Sequence, residues 1–197
     1  ARYLFDTLVT GENETVREQP WRIEVDAKKG SGSSEGLRLE KVEVLYDGVS
    51  FLAIEEFGPT LAPPTDGSLP PQLAGLRDIL TVENLKPGNY ELTIDEQLVA
   101  TAPASEWSRG IPVDASPAHI EAETLREAVN DKNRQFVYSW KAYNQVHIVG
   151  ERRNSPSGQS LSGEVIEFNN ITKEREVELR DSIKLKTRQW RLARVEG

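Results

Sequence analysis

Between Trp21 and Thr101 the chain alternates apolar and polar residues in short runs broken by turn-forming dipeptides, and this period of two restricts the fold more than any other feature. Side chains at every second position share one face, so each run buries one side and wets the other, as a half-buried strand does. Trp21-Arg22-Ile23-Glu24-Val25-Asp26-Ala27 is the first such run. Leu37 to Tyr46 and Val49 to Ile54 flank Asp47-Gly48, a pair suited to the two positive-φ positions of a type I′ turn, which predicts a hairpin. Ile79 to Leu85, Tyr90 to Asp95 and Gln97 to Thr101 form a second group, with Lys86-Pro87-Gly88-Asn89 and Asp95-Glu96 as turns. Lys28 to Gly36 reads as a Gly/Ser-rich loop, and five prolines between Phe57 and Pro71 forbid regular hydrogen-bonded structure over most of that stretch. Together these runs predict a small antiparallel β-sandwich.

The period changes after Pro103. A short helix is expected from Ser105 to Arg109, stopping at Gly110. Ser116 ahead of Pro117, with Glu121 and Glu123 in the early turns, marks the start of a long helix running to about Asn144. Leu125, Val129, Phe136, Trp140 and Tyr143 follow heptad-like spacing and are expected to bury one stripe of it. Asn154 to Gly163, rich in Ser and Gly, predicts a loop. A last helix is expected from Ile171 to Val195, because its acids (Glu174, Glu176, Glu178, Asp181) precede its bases (Lys184, Lys186, Arg188, Arg191, Arg194), the order that complements a helix dipole. Leu179, Ile183 and Trp190 give it a thin apolar stripe. The fold class is therefore α+β, a small antiparallel β-sandwich followed by long α-helices. Residues 1–17, with Leu4, Phe5, Leu8 and Val9 at helical spacing, read as the end of a preceding domain; 18–102 form the sandwich-like domain and 103–197 a helical C-terminal region.

Few chemistries fit the residue inventory. Cysteine is absent, which excludes disulfides, thiol nucleophiles and Cys-based zinc sites. The two histidines, His119 and His147, lie far apart and there is no calcium-loop pattern, so neither metal nor cofactor is expected. A net charge of -8 and a pI near 5.0 offer no general attraction to nucleic acid or to an anionic membrane. No apolar run approaches membrane-spanning length. Gly32-Ser33-Ser34-Glu35-Gly36 has the G-x-S-x-G form of a nucleophile elbow, but its surroundings are those of a flexible turn rather than a strand-to-helix corner. His119, in the first turns of a helix, reads as a solvated surface residue, whereas His147 points away from Val146 and Ile148 toward solvent or a partner. Glu55-Glu56 cannot flank one bond from adjacent strand positions and reads as a solubility pair at an edge or loop.

One segment is more specific. Leu85-Lys86-Pro87-Gly88-Asn89-Tyr90-Glu91-Leu92-Thr93-Ile94-Asp95 resembles the stretch that follows the catalytic domain in a group of bacterial, planctomycete-like SGNH/GDSL-type hydrolases. The resemblance continues through Gly110-Ile111, a helix with Lys132-Asn133, Phe136, Trp140 and Asn144, then His147-Ile148-Val149-Gly150-Glu151-Arg152, then a Lys173-Glu174-rich helix. Where that family often has Trp-Arg-Pro, this chain has Trp140-Lys141-Ala142. The resemblance implies an accessory region that packs on a catalytic domain carrying the Gly-Asp-Ser and Asp-x-x-His-Pro blocks, so that no catalytic residue lies in this chain. It further implies that Asn133, Trp140, Asn144, His147 or Arg152 reaches the rim of the catalytic cleft, that the reaction is ester hydrolysis on a carbohydrate ester, and that the compartment is periplasmic or secreted. A free-standing module that binds a glycan or a protein is the rival, with Trp21, Trp107, Trp140 and Trp190 as its aromatic candidates.

Overall fold

The computed structural model of the chain describes residues 20–56, 77–143 and 154–195. The expected α+β architecture is present: two sheets face each other and a helical hairpin stands on them. The strands are β1 Arg22–Asp26, β2 Ser31–Glu35, β3 Leu37–Val44, β4 Gly48–Glu55, β5 Ile79–Glu83, β6 Asn89–Ile94, β7 Gln97–Pro103, β8 Ile111–Pro112 and β9 Thr187–Val195. The helices are α1 Ala104–Trp107, α2 Pro117–Tyr143 and α3 Pro156–Ser182. One sheet has the order β2-β1-β5-β8 and the other β3-β4-β9-β6-β7.

The alternation seen in the sequence is what closes the sandwich. Ile23, Val25, Leu80 and Val82 project from the smaller sheet, and Val49, Phe51, Leu92, Ile94, Trp190 and Leu192 from the larger, all buried in one core. Trp190 is its centre, stacked on Phe51 at 5.6 Å and set edge-on to Trp21 at 6.3 Å, two arrangements that suit ring quadrupoles. β1 and β5 pair in parallel, and the other pairings are antiparallel.

Four expectations are corrected. The hairpin β3-β4 is where the alternation puts it, but neither Asp47 nor Gly48 has positive φ. Val44 and Val49 are the last pair in register, and Gly48 is required for a different reason: a Cβ there would lie 1.9 Å from the Leu192 carbonyl oxygen on β9. The two-residue turn with both φ values positive is Asp95-Glu96, between β6 and β7. Second, the Gly/Ser-rich loop contains a strand: β2 pairs with β1 along its whole length, and Gly32 admits no Cβ because one would sit 2.7 Å from the Glu24 carbonyl oxygen. Third, Asn154 to Gly163 is mostly helix. α3 begins at Pro156, with the Ser155 hydroxyl accepting from the Gly158 N–H at 3.0 Å. Fourth, the last helix ends at Ser182, and Thr187–Val195 is a strand wedged between β4 and β6. Its charges alternate with Trp190 and Leu192, and pairing with two neighbours stabilises it more than a favourable dipole stabilises an exposed helix end.

α2 and α3 run antiparallel, with Asp131 facing Arg175 and Tyr138 facing Phe168. At the base of this hairpin Ala118, His119 and Ala122 of α2 and Leu179 of α3 are buried, and farther along Ser139 of α2 and Gly158 of α3 are buried as well. The heptad stripe expected to be buried is instead largely exposed at Val129, Phe136 and Trp140, because among the described residues α2 packs beyond its first turns chiefly on α3.

Candidate functional site

The structure brings a serine, a histidine and an aspartate together in relay order. Ser116 Oγ lies 3.1 Å from His119 Nδ1, and His119 Nε2 lies 3.3 Å from Asp78 Oδ2. The Ser116 backbone N–H donates to the same Nδ1 at 3.2 Å, so that nitrogen is an acceptor and the ring proton sits on Nε2, facing the carboxylate. Asp78 Oδ1 in turn accepts from the Trp21 N–H at 2.8 Å. A nucleophile must also reach a substrate carbonyl, and Ser116 is 0% exposed, with His119 and Asp78 buried beside it. The constellation is a helix cap in which His119 takes the place of the acid of a capping box, and it sews the start of α2 to the starts of β1 and β5. His119 is thus not the solvated surface residue its position suggests; the Ser-x-x-His spacing was the available signal.

A second cluster joins the hairpin to the larger sheet. Arg188, on β9, is 2% exposed and donates from Nε to Glu55 at 2.6 Å, from Nη2 to Glu121 at 2.7 Å and from Nη1 to Asp95 at 3.2 Å. Lys186 adds its ammonium to Glu121 at 2.8 Å and its backbone N–H to Glu55 at 3.1 Å. Burial works against the Arg188 charge, but hydrogen bonds to Glu121 and Glu55 outweigh it and hold the guanidinium above its ordinary pKa. Burial likewise disfavours the Glu121 carboxylate, and the Arg188 and Lys186 hydrogen bonds overcome this, lowering its pKa. Every carboxylate here is engaged by a cation, so none is free to act as an acid or base. Glu55, expected as a solubility residue, is a buried anchor at the end of β4.

The residues singled out from the resemblance are partly placed. Asn133 and Trp140 lie seven positions apart on α2 and so share one of its faces, with Phe136 and Val137 between them. Trp140 is 55% exposed and Phe136 51%. Asn144, His147 and Arg152 lie outside the described residues. Among the tryptophans of the rival reading, Trp21, Trp107 and Trp190 are core residues, and Trp107 donates to the Ala102 carbonyl at 3.0 Å; only Trp140 is open to a ligand. Ser34 donates its hydroxyl to the Leu37 carbonyl at 2.7 Å across the corner where the chain passes from one sheet to the other, a structural bond. Near the base of the hairpin a cleft of about 460 Å³ opens between α2 and α3, with Leu125, Ala128, Leu179 and Ile183 on its walls and the Asp131–Arg175 pair at its rim.

A two-sheet α+β sandwich bearing an exposed helical hairpin, with its polar clusters consumed in fastening the parts, is the class these observations define. No protein-family model and no curated protein matches the chain. Among solved structures it is similar to a gut microbial diltiazem-metabolizing enzyme, at 18% identity and a TM-score of 0.59 over 90% of this chain. The chain spans 50% of the length of that structure. At this identity the likeness is one of fold.

Proposed function

We propose that this chain is the non-catalytic accessory half of an SGNH/GDSL-type ester hydrolase, seated on its catalytic domain through the aromatic face of the helical hairpin. The observation that carries the reading is that face: Phe136 and Trp140 stand half-exposed on one side of α2, a larger apolar surface than a helix turned to water ordinarily carries. Two further points support it. The serine hydroxyls with a sequence or spatial claim to catalysis are tied into structural bonds, and the same fold makes up half the length of a larger enzyme. The chemistry is then ester hydrolysis, with carbohydrate deacylation as the reaction the sequence resemblance suggests. Serine attack, histidine base and oxyanion hole belong to the catalytic domain, and this chain lends Asn133 and Trp140, with Asn144, His147 and Arg152, to the rim of the cleft.

The test has two arms. The purified chain, assayed on acetyl and p-nitrophenyl esters, is expected to show no turnover; hydrolysis that disappears on Ser34→Ala or Ser116→Ala overturns the proposal. The reading frame upstream of Ala1 is expected to encode Gly-Asp-Ser and Asp-x-x-His blocks, and the domain so encoded is expected to bind the chain about tenfold more weakly after Trp140→Ser. A frame without those blocks overturns it equally.

A further inference from the structure

At the end of β1 away from the start of α2, loops of both sheets line a groove of about 920 Å³. Its walls are the end of β1 with Lys28, the β3-β4 connection at Tyr46 and Asp47, the β5-β6 loop with Asn84 and Lys86, and the end of β9 with Arg194. Tyr46 is 97% exposed, an unusual position for a large ring where Trp21, Phe51, Tyr90 and Trp190 are all buried. The Lys86 ammonium sits 5.4 Å from the Tyr46 ring centroid, so the ring and the charge form one unit.

The charge balance of this groove is opposite to that of the molecule. Lys28, Lys86 and Arg194 line it, and none has a carboxylate partner among the described residues, although the chain carries a net charge of -8. Two acids nearby are already engaged: Asp47 pairs with Arg191 at 2.9 Å, and Asp26 accepts from the Lys28 and Lys29 N–H groups and from the Lys29 ammonium at 3.1 Å. The frame is also fixed. The Asp47 carbonyl accepts from the Arg194 N–H at 2.7 Å, and the Tyr90 hydroxyl donates to the Lys86 carbonyl at 3.0 Å. The Arg194 guanidinium lies over Gly88, where an added Cβ would come within 2.5 Å of Nε, so glycine there is what lets the cation lie flat against the loop.

We infer that this groove binds an acidic saccharide, with a sugar ring stacked on Tyr46 and its carboxylate or sulfate held by Lys86, Arg194 and Lys28. A single exposed ring flanked by cations matches a pyranose bearing one anionic group per residue: the apolar face of the sugar covers the ring, and the anion forms charge-assisted hydrogen bonds beside it. A nucleic acid strand fits less well, because its spaced phosphates are recognised by a longer basic track than three cations in an acidic protein supply. The assignment is independent of the proposed partnership with a hydrolase, and its test reads binding by this chain rather than turnover, so the two readings fail separately.

The experiment is calorimetric titration of the chain with a galacturonate oligosaccharide, its fully methyl-esterified counterpart, a chondroitin sulfate oligosaccharide and an oligothymidylate. Binding of the galacturonate, the sulfated oligosaccharide or both is expected, which assigns the anion as carboxylate, sulfate or either. The esterified sugar is expected to bind about tenfold more weakly or not at all. Tyr46→Ala and Lys86→Glu should each weaken the acidic sugar about tenfold, and Tyr46→Phe should restore binding, since the ring rather than the hydroxyl makes the contact. Both positions are exposed, and unchanged circular dichroism melts will show that folding is not the cause. No binding of either acidic sugar, equal binding of the neutral one, or tighter binding of oligothymidylate overturns the inference.

Discussion

The sandwich and the helical hairpin obey different rules in one chain. The sandwich is held by rings and aliphatic side chains packed between its two sheets, with Trp190, Phe51 and Leu92 essentially inaccessible. The hairpin buries little of itself against the sandwich and is fastened by charge: Arg188 reaches Glu121 on α2, and the His119 cap fixes the first turn. Apolar burial is insensitive to direction, so it makes a body; a buried ion pair tolerates few geometries, so it sets an angle. The difference teaches that the hairpin is aimed rather than merely attached, with its apolar face left over for something else.

That contrast can be broken most severely at the ring. Trp190→Ala should cost about 4 kcal/mol, since truncating a buried Trp leaves a cavity between both sheets, and urea unfolding followed by circular dichroism would register it. An unchanged midpoint would remove Trp190 from the core. Arg188→Met should cost about 3 kcal/mol by stranding the buried Glu55, and Glu55→Gln added to it should restore more than half. In the same variant, hydrogen exchange should reach the amides of α2 before those of β4. His119→Ala should cost about 1–2 kcal/mol, through loss of the cap and of the Nε2–H partner of Asp78.

Acid offers a gentler lever. Glu121 has a lowered pKa in the folded chain, so its contribution is complete above the ordinary glutamate value of 4.5 and is lost as pH falls below that value through the folded pKa. Near-ultraviolet circular dichroism should therefore show the hairpin loosening on acidification before the sandwich opens, and Glu121→Gln should flatten that early phase. Trp140→Ser should change the stability of the isolated chain by about 0.5 kcal/mol or less, because it removes surface the molecule has not buried. A larger loss would mean that the face is already covered.

What the sequence discloses follows from which force shapes each part. Alternation exposes β1 and the strands from β3 to β7, since period two is both their cause and their signature. β9 carries the same period in Arg188, Trp190 and Leu192, but a buried arginine occupies one of its inward positions and the basic run mimics the end of a helix. β2 has the composition of a linker and is a strand only because β1 offers it an edge, which local propensity does not record. The start of α3 repeats the Ser-Pro signal of α2, at Ser155-Pro156, inside a Ser/Gly-rich context that hides it. The charged clasp joins Glu55 to Arg188 across 133 residues, a distance over which no spacing rule operates. The aromatic face of α2 is legible as a heptad pattern, and the same pattern cannot say whether that face meets this chain or another.

β9 also governs when the protein can fold. It lies at the middle of the larger sheet, yet it follows every other described strand along the chain, and its Arg191 meets Asp47 across 144 residues. Until it arrives, β4 and β6 have no neighbour between them and each presents an unsatisfied edge. Synthesis of this chain therefore passes through an interval in which β4 and β6 each carry one edge of bare amides, and a holding chaperone or a pre-folded neighbouring domain decides between closure and aggregation.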